Sequence, residues 1–348
     1  MAGIEIGNHL VGPGNPCFVI AEAGVNHNGD LDLGRELVRA AARAGANAVK
    51  FQTFSAERLV TASAPKAAYQ VERTDPAESQ QSMLKHLELG TREHQELMKE
   101  CARSGILFLS SPFDEQSADL LADLGVVAYK IPSGEITNLP YLRHLAKKGR
   151  CLIVSTGMSD MDEVTTAVAA IRDAAELPIV LLHCVSLYPA AAAGTNLLAM
   201  DTMRTAFGVP VGYSDHTEGF AVALAAVALG ADVIEKHLTT DRQLPGPDHA
   251  ASLEPAEFRT LVAGIRDVEA ARGDGVKRPL PEEAETAAVA RKSLVAAVDI
   301  PAGTLITREM MAVKRPGTGM APSRLESVVG RRARKTIESG TLVTPDMF

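Results

Sequence analysis

The stretch PVGYSDHTEGFAVALAAVALGADVIEKHL (210–238) reads as strand, helix and strand. Its ends, 210–216 and 232–238, are apolar runs of strand length, and Phe220–Leu229 between them is alanine-rich and helical in pattern. Gly230-Ala231 supplies a helix-ending turn that feeds the second strand. Both strands finish in polar triplets, Ser214-Asp215-His216 and Glu235-Lys236-His237.

The same unit recurs towards the N-terminus. Strand-like runs lie at 18–24, 48–54, 106–113, 128–134, 152–158 and 179–185. Helical patterns cover Leu31–Ala44, Arg92–Ser104, Glu115–Leu124, Met161–Ala174 and, after the last strand, Pro255–Ala271. Eight strands alternating with helices over about 250 residues predict an α/β fold, the (β/α)8 TIM barrel. A doubly wound sheet is the rival, but the first strand-to-helix turn reads AGVNHNGD rather than GxGxxG. Segment 55–90, with Tyr69, Gln70, Glu78, Ser79 and Gln80, exceeds the usual length of a connecting loop (about 5 residues) and reads either as a cover over the barrel mouth or as a tolerated insertion.

The pattern breaks near residue 272. Residues 273–288 mix Gly, Pro and charge as a linker does, leaving 1–272 as the barrel and 289–348 as a small C-terminal domain. That domain repeats itself: IPAGTLITREMM (300–311) and IESGTLVTPDMF (337–348) share six of twelve positions. Two like β-turn-helix units are expected. From 273 on, 12 basic and 9 acidic residues give +3, leaving −11 for the rest, so the tail could dock on an acidic barrel, its own or a partner's.

Composition sets the outer limits. The 348 residues are 46% apolar and 22% charged, which excludes disorder. No apolar run approaches the ~20 residues of a membrane helix, and the N-terminus does not read as a secretory signal. A net charge of −8 argues against nucleic acid as a partner. Four cysteines (17, 101, 151, 184) form no CxxC pair, which fits reduced thiols in a cytoplasmic enzyme, with Cys17, Cys151 and Cys184 packing in strands.

Active sites of such barrels lie at the C-terminal strand ends. In chain order these carry Glu22 with Asn26 and His27 beyond it; Lys50 and Gln52; Ser110 and Ser111; Lys130, Ser133 and Glu135; Ser155 and Thr156; His183 with Ser186 and Tyr188; then the two triplets. A ring of ionisable groups on apolar strands is costly to bury unless the groups pair or meet a ligand. Lys50, Lys130 and Lys236, with Ser111, Ser133, Ser155 and Ser214, suit a phosphate or carboxylate; salt bridges to Glu22 or Glu235, or a Schiff-base lysine, are the other readings. His216 and His237 end adjacent strands and suit a divalent Lewis-acid ion better than structural zinc. His183 reads as a core histidine, and His249 as a rim or turn residue.

At these residues the sequence resembles the sialic acid synthase family. The strings carrying the resemblance are IAEAGVNHNGD (20–30), KFQTF (50–54), SSPFD (110–114), KIPSGE (130–135), VSTGM (154–158), LLHCVSLYP (181–189), GYSDHTEG (212–219), EKHLTTDR (235–242) and GPDHAASLEP (246–255). KRPGTGMAP (314–322) resembles a segment of that family's antifreeze-like C-terminal (SAF) domain.

The resemblance implies a metal-dependent enzyme that condenses phosphoenolpyruvate with an N-acetylated amino sugar. It further implies a domain-swapped homodimer in which Arg315 reaches the sugar in the other subunit. His216 and His237 would hold the metal, Mn2+ by preference, with Mg2+ or Co2+ as substitutes. Lys50, Lys130, Ser133, Ser155 and Ser214 would hold phosphoenolpyruvate, with Ser111 where the family often has Thr and Ser186 where some members have Asn. Glu22, Gln52, Glu135, Tyr188 and Asp248 would face the sugar or the water, Glu135 being the first candidate to steer or deprotonate the water and Glu22 the next.

N-acetylneuraminate from N-acetylmannosamine is the leading product, and N,N'-diacetyllegionaminate from 2,4-diacetamido-2,4,6-trideoxymannose the alternative. The GPDHAASL string sets a pseudaminic acid product further back. A metal-dependent aldolase or a seven- or eight-carbon sugar-acid synthase is a second reading, which the C-terminal repeat opposes. A non-catalytic carbohydrate- or ice-binding protein is a third, which the unbroken run of polar strand ends opposes.

Overall fold

Eight parallel strands make one sheet: β1 (Phe18–Gly24), β2 (Ala48–Thr53), β3 (Leu107–Pro112), β4 (Ala128–Ile131), β5 (Cys151–Ser155), β6 (Ile179–Cys184), β7 (Val211–Asp215) and β8 (Val233–His237). The hydrogen-bonded order is β3-β2-β1-β8-β7-β6-β5-β4, and its end strands β3 and β4 lie side by side, so the sheet nearly closes into the (β/α)8 barrel. The computed structural model describes residues 3–348, the side chains of Tyr69 and Glu72 excepted.

Because side chains alternate along a strand, each strand has one row facing the axis, and that row changes character along it. Ile20 gives way to Glu22, Ala48 to Lys50, Leu109 to Ser111, Ala128 to Lys130, Ile153 to Ser155 and Val233 to Glu235. The apolar members form a plug, closed from below by Ile6 and Val11 of a hairpin pairing Ile4–Ile6 with His9–Val11. The opposite row packs on the helices, where Leu37, Leu97, Leu121, Ile171 and Leu261 are fully buried. Apolar burial on both faces holds the barrel, and the polar end of the inner row is left to the site.

The helices follow their local signals. Asp30 caps Leu31–Ala44 by accepting from the amides of Asp32 and Leu33, and Gly45, at φ 88°, ends it. Met161–Ala174 starts in a capping box of Asp160 and Glu163. Two helices are additional to those expected: Leu139–Ala146, capped by Asn138, and Ala199–Phe207. Segment 55–90 contains short helices at Ala56–Leu59, Ala68–Arg73 and Gln80–Lys85. It is fastened to the barrel: Arg58 Nε donates to Asp114 at 2.9 Å, and the His86 carbonyl presses against Gly29, where a Cβ would lie 2.4 Å from it. Among the described residues, no helix is long and apolar enough to cross a membrane.

The chain divides into two units, Met1–Gly273 and Asp274–Phe348. In the second, Glu283–Ala290 is helical where a linker was expected, and β9 (Ser293–Ala296) pairs antiparallel with β10 (Met311–Lys314). The sequence repeat is a structural repeat with a pseudo-twofold axis. Ile300 and Ile337, equivalent positions, bond each other in both directions at 2.8 and 2.9 Å. Gly303 N to Ala333 O (2.7 Å) is matched by Gly340 N to Ala296 O (2.8 Å), each pair the other shifted by one repeat. Each repeat ends in a 3-10 turn, Arg308–Met310 or Pro345–Met347, and not in the expected α-helix.

Candidate active site

The polar ends of the inner row open into a cavity of about 430 Å³. It brings together Glu22, Lys50, Gln52, Ser111, Lys130, Ser133, Ser155, Ser186, Tyr188, Ser214, His216, His237 and Asp248, all singled out in the sequence. Its floor is an ionic quartet. Lys50 Nζ lies 2.6 Å from Glu22 and 3.7 Å from Glu235, and Lys130 Nζ lies 3.2 Å from Glu235, all four groups being buried.

Burial and charge divide the quartet. Burial pushes the Glu22 carboxyl up, against the pull of Lys50. Burial acts the same way on Glu235, but Lys130 and Lys50 outweigh it and hold that carboxyl below its ordinary range. For Lys50, burial is outweighed by Glu22 and Glu235, so its pKa rises; for Lys130 burial prevails and its pKa falls. Glu235 is therefore a fixed anion, and Glu22 a carboxyl that can exchange a proton.

Two poles flank the quartet. On the β4–β6 side, Ser133 Oγ accepts from the Gly157 amide at 3.0 Å and sits 3.1 Å from Cys184 Sγ. A Cβ on Gly157 would lie 2.3 Å from Ser186 Oγ and 2.8 Å from Ser133 Oγ, so glycine lets these hydroxyls crowd together. The Ser155 hydroxyl is buried without a hydrogen-bond partner. Next to two lysines, this is a pocket of donors for an oxyanion. On the β1–β2 side, Gln52 Nε2 donates to Glu22 at 3.2 Å, and a Cβ at Gly24 would lie 3.1 Å from Glu22, 3.3 Å from Gln52 and 3.6 Å from Asp248. Burial pushes Asp248 up to about 6, Lys50 opposing it.

Between the poles, the His216 and His237 rings stand 5.7 Å apart, with Tyr188 4.3 Å from the first and 5.9 Å from the second. His216 Nδ1 hydrogen-bonds the Val185 carbonyl at 2.8 Å, which leaves Nε2 as its acceptor nitrogen. His237 Nδ1 is buried without a partner. Burial lowers the pKa of both, most for His237, where His216 adds to the effect. Neutral, underused imidazoles suit a metal ion. No cluster of three or more His, Cys, Asp or Glu suited to a metal occurs among the described residues, so an ion held by this pair needs water or substrate oxygens to complete its shell.

Strand parity corrects two expectations, those for Lys236 and Ser110. Lys236 points out of the barrel between Glu235 and His237, pairs with Asp215 at 2.8 Å and does not serve an anion site. Ser110 likewise faces outward, bonded to Thr53 at 2.7 Å. Glu135 sits in a 3-10 turn and does not line the cavity; its carboxylate accepts from Asn138 Nδ2 at 2.7 Å, at the start of the next helix. Asn26 binds the Leu238 carbonyl and Ser252, and His249 binds Thr239 and Asn28, so both tie loops together. His183 bonds the Thr195 carbonyl at 2.6 Å, a satisfied packing histidine. Arg315 lies exposed in the second unit, its Nε donating to the Ala290 carbonyl.

Two lining residues were given no substrate or metal role in the sequence: Cys184, read as packing, and Glu235, read as a polar strand end and a pairing partner for the lysines. Parity was the available signal: Glu235 is two residues before His237, so a histidine that faces the axis carries that carboxylate to the axis as well. Segment 55–90 does roof the cavity, through Leu59, Val60, Gln70, Gln80, Met83 and Leu84, while the Tyr69 side chain lies outside the described residues.

Residues 37–277 match the NeuB family, and residues 291–348 match the SAF domain. The chain is 50% identical over 330 residues to the N,N'-diacetyllegionaminic acid synthase of Legionella pneumophila, spanning 93% of this chain and 92% of that one. It is 46% identical over 328 residues to the enzyme of the same name from Campylobacter jejuni, spanning 94% and 98%. A solved structure, the N-acetylneuraminic acid (sialic acid) synthetase of Leptospira borgpetersenii in complex with citrate, superposes with a TM-score of 0.72 at 37% identity, over 82% of this chain and 94% of that one.

Proposed function

This chain belongs to the NeuB family, and on that premise we propose that it is an N,N'-diacetyllegionaminate synthase, joining phosphoenolpyruvate to 2,4-diacetamido-2,4,6-trideoxymannose with water and releasing phosphate. What carries this choice of sugar is identity of 50% and 46%, over nearly whole chains, to two synthases of that name, against 37% to the sialic acid synthetase. N-acetylneuraminate, the leading product on sequence grounds, becomes the second reading.

The cavity has the parts this reaction needs. Lys50 and Lys130 would neutralise the carboxylate and phosphate of phosphoenolpyruvate, with Ser133, Ser155 and Ser186 donating to their oxygens. Carbon 3 of phosphoenolpyruvate attacks the aldehyde carbon of the open-chain sugar, and positive charge develops at carbon 2. Asp248, raised to about 6, can give a proton to the aldehyde oxygen as the carbon–carbon bond forms. Water adds at carbon 2 and loses its proton to Glu22, which the Gln52 amide orients. The carbon-2–oxygen bond of the resulting tetrahedral intermediate then breaks, and phosphate leaves with the bridging oxygen and takes up the proton that the carbon-2 hydroxyl releases as it becomes the ketone. His216 and His237 would hold the divalent ion, manganese by preference, which when bound polarises the sugar carbonyl.

A homodimer in which Arg315 of one subunit serves the sugar held by the other is part of the same proposal, supported by the SAF-domain match. Incubation with phosphoenolpyruvate, manganese and either sugar tests the whole. The proposal expects phosphate release with the diacetamido sugar and a product of the mass of N,N'-diacetyllegionaminate. No phosphate release with either sugar and any divalent ion would return the non-catalytic reading to the front.

A further inference from the structure

The cavity has a floor and a roof of opposite chemistry. The floor is the ionic quartet with its serines. The roof, facing it from segment 55–90, is aliphatic: Leu59, Val60, Met83 and Leu84 all line the cavity. Val25, Phe54 and Leu87, which line the cavity too, form a separate buried apolar cluster, on which Leu59 and Leu84 pack. Two amides interrupt the roof, Gln70 and Gln80, whose side chains hydrogen-bond each other at 3.4 Å.

We propose that this roof is the specificity wall of the enzyme, selecting a sugar whose far end carries methyl groups. The inference rests on the proposed synthase reading and deepens it. With the reacting aldehyde held near His216, His237 and Glu22, the other end of the sugar chain extends away from the strand ends towards the roof. An aliphatic surface there stabilises a carbon-6 methyl and the methyl of a carbon-4 acetamido group by removing them from water. A carbon-6 hydroxymethyl at the same place loses a hydrogen bond to water and gains none. The Gln70–Gln80 amides supply the donors and acceptors that an acetamido group needs amid an apolar surface. The wall is built to hold this shape, because Arg58 is tied to Asp114, Lys66 donates to Thr74 and the Asp75 carbonyl, and Ser79 caps the last short helix.

An apolar pocket discriminates against an added hydroxyl only modestly, by about 10- to 100-fold. The wild-type enzyme is therefore expected to prefer 2,4-diacetamido-2,4,6-trideoxymannose over N-acetylmannosamine by at least that factor in kcat/KM. A 6-deoxy-N-acetylmannosamine probe, which changes carbon 6 alone, should fall between the two.

The test measures those three kcat/KM values for the wild type and for Val60→Ser and Leu84→Gln. Both positions are half-buried, so polar replacements can be accommodated. The preference for the trideoxy sugar over N-acetylmannosamine should fall about tenfold or more in each variant, and Leu84→Met should restore it. The KM for phosphoenolpyruvate, bound at the floor, is the check that the barrel is intact. A wild type that prefers N-acetylmannosamine overturns the legionaminate reading and the inference with it. A wild type that prefers the trideoxy sugar, with a preference unmoved in both variants, overturns the wall alone and leaves the reading standing.

Discussion

Lys50 and Glu22 occupy paired positions on neighbouring strands, with the ammonium 2.6 Å from the carboxylate and both sealed from solvent. A buried ion pair is poor material for stability, since desolvating two charges consumes most of what their attraction returns. Its value here is chemical: Lys50 is held charged, and Glu22 is held close to the point of exchanging a proton.

Replacing Glu22 by Gln keeps the shape and removes the base. Turnover is expected to fall about 100- to 10,000-fold, while phosphoenolpyruvate binding is kept, since Lys50 and Lys130 remain. Glu135→Gln, whose carboxylate accepts from Asn138 and does not line the cavity, should stay within about threefold of wild type. Steady-state kinetics with a direct phosphoenolpyruvate binding assay separate the two. The reverse ranking would restore Glu135 to the mechanism.

Asp248 predicts a trade between activity and stability. Its pKa, raised from 3.8 to about 6 by burial, means that the folded state holds a proton that the unfolded state has released. Stability from that proton is present below pH 4 and is lost as pH rises through 6. At pH 7 the buried carboxylate is therefore a burden of up to about 3 kcal/mol. Asp248→Asn should unfold at higher urea at pH 7 and match wild type near pH 3.5, while losing turnover. An unchanged or lowered urea midpoint at pH 7 contradicts this.

Gly157 allows three lining groups to converge. A methyl there would fall 2.3, 2.8 and 2.9 Å from Ser186, Ser133 and Cys184 and displace them. Gly157→Ala should raise the KM for phosphoenolpyruvate by roughly 10- to 100-fold, with a much smaller change in the KM for the sugar. An equal rise in both would place the anion pocket elsewhere.

The paired imidazoles predict metal dependence at two named positions. Chelation should abolish phosphate release, and manganese should restore it. Titration of free manganese against His216→Ala and His237→Ala should show binding weakened at least tenfold in each. Undiminished binding in both variants would remove these histidines from the metal site.

The barrel was legible because its strands are short apolar runs, each followed by a helix with its own cap, as at Asp30 and Asp160. The polar strand ends named nearly the whole floor. What the sequence reading left out was parity. In Glu235-Lys236-His237 the outer two residues face the axis, and the middle one is buried behind the sheet with Asp215. A one-residue slip inverts the assignment, so Lys236 was read as an anion-binding lysine, and Glu235 as no more than a strand end and a pairing partner. Residues on turns escape that rule. Glu135 follows β4 by a 3-10 turn that swings it to Asn138, and nothing in its spacing announces this. The aliphatic roof was harder still, because Leu59 and Leu84 stand 25 residues apart on separate short helices and meet only through tertiary packing.

One competition reaction tests the central claim most directly. The full chain, with manganese and phosphoenolpyruvate, receives 2,4-diacetamido-2,4,6-trideoxymannose and N-acetylmannosamine at equal concentration, and the two products are counted by mass. N,N'-diacetyllegionaminate should exceed N-acetylneuraminate by tenfold or more, with phosphate released in step. Predominant N-acetylneuraminate would contradict the assignment of the sugar, and neither product would contradict the synthase itself.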